Sequence, residues 1–233
     1  NRSLNAHPIT SSPHHPITMA SAALPSPSKV DDEEKPASSS SSSVHVDNTL
    51  IIFDWDDTLM SSSWLAQNGL RLDTPAEVPA AAVKQLTQLE ESVITLLNRA
   101  KKYGHVCIIT NAETGWVELS AKKFMPAVVP VLDGIHVLSA RSTYESMYPD
   151  SPADWKVQAF YQKIYDSYKA SPADRHKNIL SFGDSIHERH AIHKVTATLR
   201  AAFTKSVKFV ERPTVEQLKR QVDLVHSCFD DIV

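Results

Sequence analysis

Three short apolar runs, each of strand length and each broken off by carboxyl, hydroxyl or amide side chains, constrain this chain more than any other feature. Thr49 to Phe53 (TLIIF) runs into Asp54, Trp55, Asp56, Asp57 and Thr58. His105 to Ile109 (HVCII) ends in Thr110 and Asn111, and Asn178 to Phe182 (NILSF) ends in Gly183, Asp184 and Ser185. Runs with apolar residues at consecutive positions, rather than at every second one, fit strands covered on both faces, as in a parallel sheet. Amphipathic stretches lie between them. Leu86, Leu89, Val93, Leu96, Leu97 and Ala100 recur at spacings of three and four, which predicts a helix over about Pro79 to Tyr103 with Gly104 just past its end. Further helices are predicted from near Glu113 to Met125, from Pro152 to about Tyr168, and from Pro213 and Thr214 onward. Ile135 to Ala140 and Val207 to Val210 are additional strand candidates. This alternation predicts an α/β fold, a doubly wound parallel sheet flanked by helices, in which the polar ends of the three strands converge.

Convergence explains why a buried strand ends in so much negative charge. An unpaired buried carboxylate costs several kcal/mol, so at least two of Asp54, Asp56 and Asp57 need a cation, a proton or a substrate beside them. Asp54 and Asp56, two apart, point to the same side if the strand geometry persists, with Trp55 and Asp57 on the other. With Asp184 alongside they form a set of hard oxygen donors suited to Mg²⁺. Thr110 offers a hydroxyl, and the N–H groups of Asn111 and its successors are expected to open a helix that receives an anion. Thr58 is expected to hydrogen-bond within its loop. Lys156, in the first turn of the third long helix, supplies a fixed positive charge.

In this order, DWDDT, TN, a lysine at a helix start and GDSIHE resemble the haloacid dehalogenase (HAD) superfamily of aspartate-nucleophile phosphatases. The resemblance covers roughly Thr49 to Ile192 and the C-terminal strand and helix. It implies that Asp54 is nucleophile and metal ligand, and that Asp56 is general acid and base, with its backbone carbonyl also on the metal. Thr110 and the backbone of Asn111 would hold the transferring phosphoryl group, and Lys156 would neutralise it. Asp184 would bind Mg²⁺, with Glu188, Ser185 and Thr58 around it or, for Glu188, on it. The chain departs from many members in carrying Glu188 where they carry Asp. Lys163 and Lys169 compete with Lys156, which is preferred for its place at the helix start. An acid two residues after the nucleophile suits ester hydrolysis and sets dehalogenation aside.

The spacing leaves room for little or no cap domain. An open site of that kind implies a phosphorylated substrate that extends to macromolecules. Two other functions stay open: a scaffold that binds phosphorylated partners with little catalysis, and a phosphotransferase or mutase using the same aspartyl phosphate. Trp55, Trp64, Trp116 and Trp155 all lie near a motif, and each is read as core before pocket wall. His187, His190 and His193 drift around a helix and are read as a polar face rather than a zinc site.

Of the 233 residues, numbers 1–45 are dominated by Ser, Pro, His and Thr and are expected to be a disordered tail, leaving 46–233 as the folded domain. The tail begins with Asn, and residues 1 to 30 lack acids, as transit peptides do, but carry no Arg-rich amphipathic helix. A net charge of −3 without a basic block argues against bulk nucleic-acid binding. No apolar run reaches membrane-spanning length. Two cysteines offer no disulfide framework and fit a reducing compartment, the cytoplasm.

Overall fold

The computed structural model describes residues 46–74 and 77–233. The tail and any targeting role within it lie outside the described residues. After a 3₁₀ turn at Val46–Asn48 come β1 (Thr49–Phe53), α1 (Ser62–Gln67), α2 (Ala80–Tyr103) and β2 (His105–Thr110). Then follow α3 (Trp116–Phe124), a 3₁₀ turn (Pro126–Val128), α4 (Val129–Leu132), β3 (His136–Ser139), α5 (Ala140–Tyr144) and α6 (Pro152–Tyr168). The chain continues through β4 (Lys177–Gly183), α7 (Ile186–Thr196), β5 (Ala202–Lys208), α8 (Val215–Ser227) and α9 (Phe229–Ile232).

The strands form one parallel sheet in the order β3-β2-β1-β4-β5. β1 is buried along its whole length, and successive residues face opposite ways. Ile51 and Phe53 point with Ile108, Leu180 and Phe182 into a core shared with α2, α3 and α8. Leu50 and Ile52 point with Cys107, Ile109 and Ile179 into a second core under α6 and α7. This double cover is why apolar residues stand at consecutive positions in the runs.

The chain winds outward from β1 to β2 and β3, then returns to the other side of β1 through β4 and β5. Winding therefore reverses between β1 and β4, where sheets of this kind form a crevice beyond their carboxyl ends. Phe53 lies opposite both Ile108 and Phe182, so Asp54, Thr110 and Asp184 leave the sheet at nearly one level.

Gly104 stands just past the end of α2 as expected, in an extended conformation. Its need is space, since a Cβ there would lie 2.4 Å from the Thr49 carbonyl oxygen. β5 starts five residues before the expected Val207 and is only partly buried, because an edge strand does not have to be apolar throughout. α1 is not among the helices that the periodicity predicts; six residues are too few for it to declare itself.

Candidate functional site

Lys156 sits at the centre of the strand ends. Pro152 starts α6 within its first turn, and the next turn carries Lys156 under the sheet, where its side chain is 1% exposed. Its Nζ donates to Asp54 Oδ1 at 2.7 Å and to the Ile109 carbonyl at 2.7 Å. It also pairs with Glu188 Oε1 at 2.8 Å. Lys163 and Lys169 stand elsewhere: the first lines a cleft with His136 and Asp166, the second pairs with Asp166.

Glu188 serves two neighbours at once. Ser185 caps α7, and the Ser185 amide and hydroxyl donate to Glu188 Oε2 in a reciprocal capping box. Gly183 makes the fold-back possible, because a Cβ there would lie 2.4 Å from Glu188 Cγ. Glu188 thus holds Lys156 through one oxygen and the α7 cap through the other. The Lys156 linkage could not be read from sequence, since the two residues are far apart in the chain.

Asp56 is turned elsewhere. Thr110 Oγ1 donates to its Oδ2 at 3.1 Å, and the Trp116 indole Nε1 donates to its Oδ1 at 2.8 Å. Trp116 thus belongs to the site. Its place near the Thr110 and Asn111 motif was the hint in sequence, but the partner was not legible, since the contact crosses sixty residues. Trp55, by contrast, is buried against α3 and donates to Ser120, and Trp155 donates to the Tyr148 carbonyl. Asp57 holds the backbone and hydroxyl of Ser63 at the start of α1.

The helix expected to open at Asn111 begins at Trp116. Gly115, at φ +90°, turns the chain into it, and two of the intervening amides are spent locally: Ala112 N–H donates to Thr110 Oγ1, and Thr114 N–H to Ser142. Asn111 Nδ2 donates to the Pro152 carbonyl. Two polar atoms of the expected set are buried without a partner, Thr58 Oγ1 and Asn111 Oδ1, so Thr58 does not make the loop hydrogen bond expected of its hydroxyl. A buried orphan oxygen is costly, and each stands in a loop that leaves a strand end. Asp184 is half-exposed, and its carbonyl accepts from Lys208. His190 and His193 are exposed on α7, as a polar face requires.

The acids outnumber the buried ammonium at this end of the sheet. Burial raises Asp54 well above the usual carboxylate range; Lys156 opposes the shift, while Glu188 and Asp56 add to it. For Glu188 the cost of burial is overcome by Lys156 and Ser185, which bring it down to about 2. Lys156, which burial alone would lower, is raised by Asp54 and Glu188 and stays an ammonium. Lys156 contacts the two carboxylates at nearly equal distance, 2.7 Å for Asp54 and 2.8 Å for Glu188. Asp184 is pushed up to about 7 by burial, Glu188 and Asp57. Burial is the leading cause of the upward shift at both Asp54 and Asp184.

Among the described residues no three His, Cys, Asp or Glu side chains are grouped closely enough to hold a metal ion by themselves. The expected trio of Asp54, Asp56 and Asp184 is not preformed, because the Asp56 side chain is held by Thr110 and Trp116. Asp54 and Asp184 could nevertheless hold a magnesium ion that keeps several waters, with the Asp56 carbonyl as a third oxygen. That donor chemistry, together with the orphan oxygens of Thr58 and Asn111, fits a cation and a phosphoryl group.

Beside the site a cleft of about 330 Å³ is lined by Leu65, Leu70, Arg71, Leu72 and Trp116. Lys123 at the end of α3 donates to the Arg71 and Thr74 carbonyls and fixes one wall. Among the described residues only α1 and this loop stand between β1 and α2, and no separate domain roofs the strand ends.

Fold and site together define an α/β protein with a doubly wound parallel sheet and a charged crevice at its carboxyl edge. Comparison with family models, curated proteins and solved structures gives no match for this chain. None of the helices among the described residues is long and apolar enough to cross a membrane.

Proposed function

We propose that this protein is a Mg²⁺-dependent phosphomonoesterase of the haloacid dehalogenase kind, working through an aspartyl phosphate on Asp54. The observation that carries the proposal is the fully buried Lys156 ammonium bridging Asp54 and Glu188 at the switch point of the sheet. Folding alone does not call for it, since replacing such a group by apolar side chains is commonly neutral or stabilising.

In the first half-reaction the Asp54 oxygen not bound by Lys156 attacks phosphorus. A P–O bond forms, the bond to the ester oxygen breaks, and that oxygen takes its electron pair and a proton from Asp56 to leave as an alcohol. In the second, Asp56 as carboxylate takes a proton from a water whose oxygen attacks phosphorus. The bond to Asp54 breaks, its electron pair returns to the carboxylate, and inorganic phosphate is freed. Lys156 keeps Asp54 oriented throughout, while Glu188 and the Ile109 carbonyl hold Lys156. Thr110 and Asn111 offer donors to the phosphoryl oxygens. A bound Mg²⁺ would supply the positive charge that Asp54, Asp184 and the phosphoryl group lack.

A pure binding scaffold has no use for Asp56 held by two donors. A phosphotransferase would share the first half-reaction, and added acceptor alcohols would separate it by yielding new esters. The uncovered strand ends suit phosphate esters carried on large molecules. Two free cysteines among the described residues accord with a reducing compartment, the cytoplasm. The test is phosphate release from phosphosugars, nucleotides and phosphopeptides with and without Mg²⁺, beside Asp54→Asn. Metal-dependent release that the substitution abolishes is expected; equal turnover by the variant overturns the proposal.

A further inference from the structure

Asp56 accepts a hydrogen bond on each of its carboxylate oxygens, and the two donors differ in kind. Thr110 Oγ1, 3.1 Å from Oδ2, has one proton to give, and its oxygen already accepts from the Ala112 amide at 2.9 Å. When that proton turns toward a phosphoryl oxygen, Oδ2 loses its donor. The Trp116 indole, 2.8 Å from Oδ1, can only donate and does not titrate. Its bond has no reason to change during turnover.

We infer that Trp116 is the positioning residue for the acid–base carboxyl. It pins Oδ1 as a permanent acceptor, so Oδ2, on the Thr110 side, is the oxygen that carries the proton to the ester oxygen and later takes one from water. The inference rests on the phosphatase reading and adds to it which oxygen works and what holds it. The local backbone serves the same end. Gly115 in the left-handed region starts α3, and the Trp116 amide donates to the Glu113 carbonyl at 3.1 Å, which places the indole at the first helical position. Farther along α3, Val117 and Ala121 are fixed in the core, so the ring stands on a rigid element. Among the tryptophans only this one has its N–H on a charged side chain; Trp55 and Trp155 donate to a hydroxyl and a carbonyl.

The test uses a leaving-group series of constant shape: 4-nitrophenyl, phenyl and 4-methoxyphenyl phosphates, read as kcat/KM, which reports the step in which the alcohol departs. A nitrophenolate leaves without a proton, whereas the other two need one. Trp116→Phe is expected to lower the phenyl to 4-nitrophenyl ratio of kcat/KM about ten-fold or more, as Asp56→Asn does more strongly. Trp116→Phe placed on Asp56→Asn should move the ratio no further, because the two act as one unit. Where Phe disturbs folding, 3-benzothienylalanine at position 116 keeps the ring and deletes only the N–H, and the same fall in ratio is expected. An equal loss on all three esters, or no loss, overturns the positioning role. Wild-type protein that releases phosphate from none of them overturns the phosphatase reading and this inference with it. Asp56→Asn without a change in ratio overturns the assignment of Asp56 as the acid, and the inference built on it.

Discussion

Lys156 and Lys177 are both buried, 1% and 5% exposed, and they serve opposite ends of the same sheet. Lys177 begins β4 at the amino edge. Its ammonium donates to the main-chain carbonyls of Ala173, Arg175 and Arg200 at 3.1, 2.9 and 3.3 Å. Those oxygens belong to turns that would otherwise leave them bare, so the lysine closes the base of the fold as a neutral solvent would. Lys156 has one carbonyl and two carboxylates, and neither carboxylate satisfies a backbone group that lacks an alternative partner, apart from the Ser185 cap. A buried charge that solvates backbone is explained by folding. One that gathers further buried charges is explained by chemistry.

The largest effect expected from this contrast is kinetic. Lys156→Met should lower phosphate release about a thousand-fold or more, since Asp54 loses its orienting cation and two buried carboxylates are left facing each other. Steady-state assays against wild type measure it, and activity within ten-fold of wild type would break the comparison.

Next comes pH. Glu188 falls from an ordinary value of 4.5 to about 2 in the folded protein, so its stabilisation is complete above about 4.5 and is lost as pH drops toward 2, to a ceiling of about 3 kcal/mol. Asp184 has the opposite sign: raised from 3.8 to about 7, it binds its proton more tightly when folded. Its contribution therefore weakens as pH rises through that window in metal-free protein. Chemical denaturation from pH 3 to 8 should show both slopes; Glu188→Gln should flatten the acid one, and Asp184→Asn the neutral one. A stability profile unchanged by either variant contradicts the charge assignments.

The smallest effect belongs to the other lysine. Lys177→Met should cost about 1–3 kcal/mol by stranding its carbonyls, a fall of about 2–4 °C in melting midpoint for each kcal/mol. Activity per folded molecule should stay at the wild-type level. Equal kinetic damage at both lysines would erase the distinction between them.

The same contrast shows what a sequence can reveal. β1, β2 and β4 are legible because two-sided burial writes itself as unbroken apolar runs, and Lys156 was legible from its place beside Pro152 at a helix start. β5 was misplaced because an edge strand tolerates Thr204, Lys205 and Ser206 on a partly exposed ladder. The late start of α3 was missed because a left-handed glycine at 115 leaves no periodic mark before it. Partnerships across the fold left no trace at all. Nothing near Glu188 says that it grips Lys156, and nothing near Asp56 says that Trp116 holds it, since both contacts exist only once the strand ends have converged.

The most direct measurement is the mass of Asp54 during turnover. Protein mixed with excess 4-nitrophenyl phosphate and Mg²⁺, quenched in acid within milliseconds and digested, should carry one phosphoryl group on the peptide containing Thr49 to Ser62, located at Asp54 by fragmentation and absent from Asp54→Asn. Continuous phosphate release with Asp54 never modified, or with the phosphoryl group on another residue, would contradict a nucleophilic role for this strand-end carboxylate.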